Sequence, residues 1–443
     1  QEALLGQVGV LEIQLTQGDG STSTYPLSGV DEDADSQAVL PPLVGATIRL
    51  VGRTGARVIL SGQTPPIDLV EGELVQPLSL AKVDTLVSLP GLPAGLGFAA
   101  TAAAPEGRYY LFGGAEESFV DQQASSSIVV IDLGTPTGGL IPRVLDLTLP
   151  DTELGHSGRV AHTATALTAE TALSGQILVT GGTPMLVPYS DGLCSWIDDA
   201  LSSNQAFVFD PETETLTHTE DMNPPRYGHT AVVNRLGHVV IIGGFNDTEF
   251  AFSQAYAEVF DPEDASFKPV NELMLAGTAY HAAARLGEQG VMSCGGLNYA
   301  RSASTECTLI SPDRAVATLD FPGLPTIGPS MVTMSDERIL FTGGLDMTDQ
   351  DFAIFTTELS ASNQAWVFQS GSWQPAGEMV HPRAWHAAAP LSDGRVLISG
   401  GVSRIHPDDP GPANLYWGGG FHPGAAIPCA EIFDPDTLTF EEL

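Results

Sequence analysis

The chain has almost no lysine. Only Lys82 and Lys268 occur in 443 residues, and together with 15 arginines they face 54 Asp and Glu, for a formal net charge of −37. A surface this acidic is a poor partner for nucleic acid or for an anionic membrane. Its simplest meaning is a solubility coat, tolerable where salt screens the self-repulsion. Divalent cations and a basic partner protein are the other readings. No apolar run reaches the roughly 18–20 residues that cross a bilayer. There is no GxSxG, no glycine-rich phosphate loop, no HExxH and no sialidase-type Asp box. The common hydrolase and nucleotide-binding classes therefore lack their signatures, and no catalytic constellation stands in their place.

Cysteine is also scarce. The four are Cys194, Cys294, Cys307 and Cys429. No CxxC or Cys/His spacing suggests zinc, and an even count suits two disulfides in an oxidising compartment. Cys294 ends one apolar run and Cys307 lies in the next strand candidate, a fair spacing for a bridge across a hairpin. Cys194 and Cys429 lie in the two longest loops, where a bridge would tie distant repeats. Four free buried thiols are the competing reading. The first residue is Gln1 and no signal peptide is visible, which fits a mature exported protein. A lipid-modified cysteine directly ahead of Gln1 is one route to membrane attachment.

What the chain does have is glycine and proline, 48 and 32, with 43% hydrophobic residues for a large core. Six Gly-Gly pairs close short apolar runs: Gly113-Gly114, Gly181-Gly182, Gly243-Gly244, Gly295-Gly296, Gly343-Gly344 and Gly400-Gly401. The runs read YYLF, ILVT, VVII, VMS, ILFT and VLIS. Before each lies another strand candidate, often opening on His then Ala or Thr, as at His162, His229, His281 and His386. After each comes a variable loop and a third strand such as NQAFVFDP or CAEIFDP, then a turn and a fourth. Period-two alternation with Asp-Pro turns reads as strands. A β unit copied at this scale means a ring or a rod.

The unit PRYGHTAVVNRLGHVVIIGG…YAEVFDPEDASFKPV (225–270) resembles a kelch repeat, and so does HPRAWHAAAPLSDGRVLISGG…CAEIFDPDTLTFEEL (381–443). The resemblance spans residues about 92–443 and implies an all-β, six-bladed kelch-type β-propeller. Blade 1 departs with Phe98-Ala99-Ala100, blade 5 with Gly328-Pro329-Ser330, and blade 4 lacks the aromatic of strand three. Each glycine pair is expected to ease the outward bend of strand two near the axis, and each repeated His to bond to backbone between blades. Blade 1 begins with its own first strand, so every blade is expected to be contiguous in sequence. Residues 1–90 read as a separate small β-sandwich, with strand candidates at 8–17, 45–52, 56–62 and 72–84 around a polar stretch; similar domains precede kelch repeats in some exported bacterial lipoproteins. Residues 91–443 form the propeller.

The loops between strands two and three and between four and one share one face of a propeller, and loops on a rigid scaffold carry function. The two-to-three loops are long in blade 2 (183–204), blade 5 (345–362) and blade 6 (402–428). Tyr189, Trp196, Tyr416, Trp417 and Phe421, with His422, are candidate contacts for a protein or a sugar. Asp31, Asp33 and Asp35 alternate as in a calcium loop but lack its Gly and terminal Glu; Asp346, Asp349 and Asp351 form a similar set, and His406 with His422 is a weaker transition-metal pair. No cofactor is expected beyond a possible calcium ion. These readings imply an extracytoplasmic, non-enzymatic binding or structural module whose partner is another protein subunit or a surface glycan. The alternatives are a kelch-type enzyme, copper oxidase-like or a lyase, although the seven blades and the Tyr/His copper set of the galactose-oxidase-like proteins have no match here, and a calcium-stabilised adhesin.

Overall fold

The computed structural model of the chain describes residues 10–16, 21–27, 43–54, 57–63, 67–69, 81–82, 99–114, 124–132, 142–151, 158–168, 171–184, 202–246, 256–270, 278–298, 302–348, 359–391, 393–405, 427 and 429–443. Its contacts fall into two compact units. One gathers Gln1–Leu92, Ala103–Tyr110 and Val129–Val144; the other gathers Pro93–Ala102, Leu111–Ile128 and Leu145–Leu443.

In the N-terminal region the described strands form one antiparallel sheet. Its order is Thr22–Leu27, Val10–Thr16, Leu43–Thr54, Arg57–Gln63 and Ala81–Lys82, with Ile67–Leu69 also on Leu43–Thr54. The register of Leu43–Thr54 against Arg57–Gln63 slips between Gly52 and Arg53, a bulge next to a glycine. The polar stretch expected to be a loop supplies the strand Thr22–Leu27, paired Leu15↔Ser23 through Leu11↔Leu27. Its Thr and Tyr residues favour extended backbone. As the edge of the sheet it also tolerates Pro26, which has no N–H to give to a ladder. The second layer of a sandwich is not among the described residues.

Six four-stranded antiparallel sheets follow in sequence, and they define a six-bladed β-propeller. Each blade is contiguous, as expected. Blade 1 runs from Ala100–Ala104 to Arg143–Thr148, and blade 6 from Ala387–Pro390 to Thr439–Glu442. Blade 3 shows the pattern: Thr230–Val233, Val239–Ile242, Ala257–Asp261 and Ser266–Pro269. Its second strand is buried throughout and its third nearly so, which is why those runs are continuously apolar rather than alternating. The first strands of blades 2 to 6 neighbour one another in order and form the inner wall.

The glycine pairs sit at the end of the second strand, one strand removed from that wall, and all twelve glycines have positive φ. In blades 1 to 5 the segment entering the next blade crowds the first glycine of the pair, while in blades 2 to 6 the second is crowded by its own blade's entering segment. A Cβ on Gly181 would press on the Arg226 carbonyl and lie 2.8 Å from Cε1 of His229. The second glycine donates its N–H to that carbonyl: Gly182 to Arg226 at 2.9 Å, Gly244 to Thr278 at 2.9 Å, Gly344 to Arg383 at 2.8 Å. Only glycine permits both the conformation and the approach.

The entering segment itself reads Arg-x-x-His. Three arginines there, Arg159, Arg226 and Arg383, are fully buried. Arg226 donates to the carbonyls of Gly243 (3.0 Å) and Tyr256 (3.1 Å) and pairs with Glu258 at 3.2 Å. Arg383 repeats this with Gly400 (2.9 Å), Cys429 (3.0 Å) and Glu431 (2.9 Å). In blade 2 the acid is replaced by Phe207, whose ring lies 5.1 Å from the Arg159 guanidinium carbon, and Gln205 accepts from the same guanidinium. Burial lowers Arg159 to about 10, against the opposing pull of Asp221, and lowers Arg226 as well. Burial raises Glu258, with Arg226 pulling it back.

Blades 4 and 5 abandon this clamp. Thr278 and Thr326 replace the arginines, and Trp366 stands where blade 3 has Glu258. Across their interface, Pro329 takes the place of the repeated His, and the Cys294–Cys307 disulfide closes strands two and three of blade 4 at paired positions. The bridge joins the aromatic cluster of Phe321, Phe341, Phe368 and Trp373, with Phe321 and Phe341 centroids 4.5 Å apart and Phe321 and Trp373 at 5.1 Å. Cys429 carries a free thiol; Cys194, its expected partner, lies outside the described residues.

Replacing Arg226 by Met strands Glu258 in the interior and should cost about 3–5 kcal/mol. Adding Glu258→Gln should return part of that loss. Urea unfolding of both variants reads the difference, and equal losses would refute the clamp. The double substitution C294A/C307A, opening a loop of sequence separation 13, should lower stability by about 3 kcal/mol; unchanged unfolding with and without reductant would contradict this.

Candidate functional site

In blades 2 to 6 the residue after the glycine pair bridges back to the residue two before the repeated-His position of the same blade: Val160↔Thr183, Tyr227↔Phe245, Ala279↔Leu297, Ala384↔Val402, and in blade 5 Ile327↔Leu345. These bridges place the two-to-three loops and the four-to-one loops on one face, as expected. All of the bridge residues except Thr183 join one apolar floor beneath them, with Ala124, Met347 and Leu359.

The floor is aromatic in one sector. Tyr227 and Phe245 have ring centroids 5.6 Å apart, Phe245 and Tyr280 5.3 Å, and Tyr280 and Trp385 6.3 Å edge to face. Tyr280 and Trp385 are half-buried and occupy the position before His, where other blades carry Ala161, Gly228 and Gly328. All five have φ between 51 and 65°. Their backbones form a relay: Gly228 N–H donates to Ala161 (2.8 Å), Tyr280 to Gly228 (3.0 Å), Gly328 to Tyr280 (2.8 Å) and Trp385 to Gly328 (2.7 Å). The two rings lie over the preceding glycines. A Cβ on Gly228 would meet Tyr280 Cε1 at 3.1 Å, and one on Gly328 would meet Trp385 Nε1 at 2.7 Å. From blade 3 to blade 6 small residues therefore alternate with large ones where the first strands begin.

The long loops rise from this floor. Those of blades 5 and 6 are stitched at the base, where Leu359–Ser360 pairs with Arg404–Ile405 and Ala361 N–H donates to Ser403 at 2.8 Å. Of the residues expected to bind a partner, Tyr189, Trp196, Tyr416, Trp417, Phe421 and His422 lie outside the described residues, as do His406, Asp31, Asp33, Asp35, Asp349 and Asp351. Asp346 is described, and its carboxylate accepts from the N–H (2.9 Å) and hydroxyl (2.6 Å) of Thr348, a local turn. Sequence reasoning missed Tyr280 and Trp385 as floor residues. Their signal was present: large aromatics at the x-His position where two other blades have glycine.

The repeated histidines join blades, and threonine hydroxyls are among their partners. His229 Nε2 lies 3.2 Å from both Thr163 and Thr180 of blade 2, His281 2.8 Å from Thr230 of blade 3, and His386 2.8 Å from Thr342 of blade 5. A Thr–His contact resembles a nucleophile with its base. Here it recurs at three interfaces and is closed off from solvent, so it is a joint. Burial holds all four imidazoles neutral: His162 and His386 are lowered to about 3, His281 to about 4, and His229 well below its ordinary value.

These features place the chain in the class of six-bladed β-propellers with an apolar, loop-bearing face. No known protein-family signature matches the sequence, and no curated protein matches it. A solved structure titled "Structure of YjhT" superposes with a TM-score of 0.57 at 15% identity, covering 80% of this chain and 99% of that one. At that identity the likeness shows the fold alone.

Because the folded pKa values of these histidines lie below about 6.5, the unfolded chain takes up protons first as pH falls. Stability from this source is complete above pH ~6.5 and is lost toward pH ~3, by up to about 1.4 kcal/mol per pH unit for each imidazole. In NMR titrations the ring signals of His162, His229, His281 and His386 should not move between about pH 5.5 and 8. A shifting signal from any of them would contradict its neutral, buried state.

Proposed function

We propose that the chain is a non-enzymatic binding module of an exported assembly, and that it holds another protein subunit or a surface glycan on its long-loop face. The observation that carries this reading is the rigid apolar floor, aromatic in one sector through Tyr227, Phe245, Tyr280 and Trp385, together with the long connections that leave the same face after Thr183, Leu345 and Val402. A floor set by a backbone relay lets loops vary without disturbing the scaffold. The aromatic residues of those loops, Tyr189, Trp196, Tyr416, Trp417 and Phe421, are of the kind that dominate binding energy. The repeated histidines are spent on blade joints, which removes the most obvious acid–base groups from catalysis. The kelch-like pattern of the repeats supports a propeller used for interaction. A buried disulfide suits an oxidising compartment, and the net charge of −37 favours a basic protein surface over an acidic one.

Replacing residues 406–426 by a short Gly-Ser linker should abolish retention of the natural partner, identified by cross-linking in the native source, while the thermal midpoint moves by no more than about 2 °C, because surface loops contribute little to stability. Full retention by the shortened variant, or stoichiometric copper in the purified protein, would overturn the proposal.

A further inference from the structure

Blade 6 and blade 3 are built on the same buried ion pair, Arg383–Glu431 in one and Arg226–Glu258 in the other. Aligned on those pairs, three of the positions at which the two blades differ carry a ligating side chain in blade 6. His381 stands where blade 3 has Pro224, Cys429 where it has Tyr256, and Glu442 where it has Pro269. The last correspondence is fixed by register, since Glu431↔Glu442 matches Glu258↔Pro269. Blade 3 shows that the framework closes without a ligating side chain at any of the three. In blade 6 all three can bind a metal, and they converge: His381 nitrogen, Cys429 Sγ and a Glu442 oxygen lie within 4.8 Å of one another, with Nε2 and Oε1 3.3 Å apart.

We propose that His381, Cys429 and Glu442 form a Zn²⁺ site with its fourth position open to solvent. Imidazole, thiolate and carboxylate are the ordinary zinc donors, and a thiolate argues against calcium or magnesium. A tetrahedral ion with bonds of about 2.0–2.3 Å spaces its ligand atoms by about 3.3–3.7 Å. The His–Glu pair already has that spacing, and Cys429 needs only a small side-chain adjustment. His381 and Cys429 are half-buried while Glu442 is half-exposed, so the ion has both a held side and a wet side.

The backbones that bear the ligands are held from behind. Glu431 accepts from the N–H of Val380 (2.6 Å) and of His381 (3.0 Å). Arg383, bonded to the same carboxylate, donates to the Cys429 carbonyl at 3.0 Å and to its sulfur at 3.4 Å. One buried ion pair thus fixes two ligating segments, the kind of outer support that orients metal ligands. The charges also match. Arg383 is balanced by Glu431, which leaves the thiolate and Glu442 as two negative charges for a divalent ion to neutralise.

The test is zinc titration of the full, chelator-treated chain against a competing indicator, with cobalt as a spectroscopic substitute. One equivalent should bind, and Co²⁺ should give a thiolate charge-transfer band that C429S abolishes. H381Q and E442Q, both at partly exposed positions, should each weaken binding at least about tenfold, while H218Q, at an exposed histidine outside the site, should leave it unchanged. Binding should weaken toward acid, since the thiol and imidazole must lose protons. Absence of stoichiometric zinc, or indifference to both H381Q and E442Q, would sink the proposal. So would a thiol titration of the unreduced, denatured chain that finds no free sulfhydryl, because Cys429 would then be bridged to Cys194.

Discussion

The propeller depends on how one blade is fastened to the next, and from blade 2 to blade 6 the fastening is a pair of backbone hydrogen bonds running in opposite directions. The second glycine of a blade donates forward to the carbonyl of the next blade's entering segment, as Gly182 does to Arg226. Two residues further on, that segment donates back, as Gly228 does to Ala161. Both bonds require left-handed backbone, at the glycine pair and at the residue before His. Nearly every other regularity serves this junction. The arginine holds the entering segment to its own blade, and the His–Thr contact fills the space left beside the glycine.

The interfaces also show which parts can be exchanged together. Blades 2, 3 and 6 use a buried guanidinium answered by a ring, an acid and an acid at the same strand-three position. Where the arginine becomes Thr326, the acid becomes Trp366. Where His becomes Pro329, the threonines across the interface are gone as well, and a disulfide with packed aromatics occupies the gap. A buried charge without its partner is costly, so the positions change as a set. The polar and apolar interfaces are two solutions to one geometric problem.

The architecture was legible from sequence because its determinants are local and repeated. Six glycine pairs gave six blades in register, and the cysteines at 294 and 307 gave a bridge that the strand pairing then placed directly. The misreadings have physical causes. Thr22–Leu27 looked like a loop because an edge strand need not be apolar. The glycines looked like an outward bend near the axis because their crowding comes from residues about 45 positions away in sequence, Gly181 against Arg226. The histidines do reach backbone, His162 at Phe112 of blade 1 and His281 at Thr278, but their threonine partners went unread because a threonine in another blade leaves no mark in the local pattern. The His381–Cys429–Glu442 cluster has members 61 positions apart and has no motif spacing at all; it emerges only when strands three and four bring its members beside the entering segment. The loop aromatics read from sequence remain a proposal for the partner-binding face.

The two opposed bonds at the four junctions from blade 2 to blade 6 have a consequence for cooperativity. In a linear stack of repeats each unit folds against its predecessor, and an end unit needs only a polar cap. Here, cutting between two blades leaves an unpaired N–H on the glycine side and another on the entering segment, each beside a carbonyl that has lost its donor. Unsatisfied backbone groups of this kind are expensive when they are shielded from water. A fragment of two or three blades therefore ends in a frustrated edge rather than a finished surface. Such a chain gains its stability late and all at once, which makes proteolytic clipping or truncation within the propeller far more damaging than loss of a comparable length from its loops.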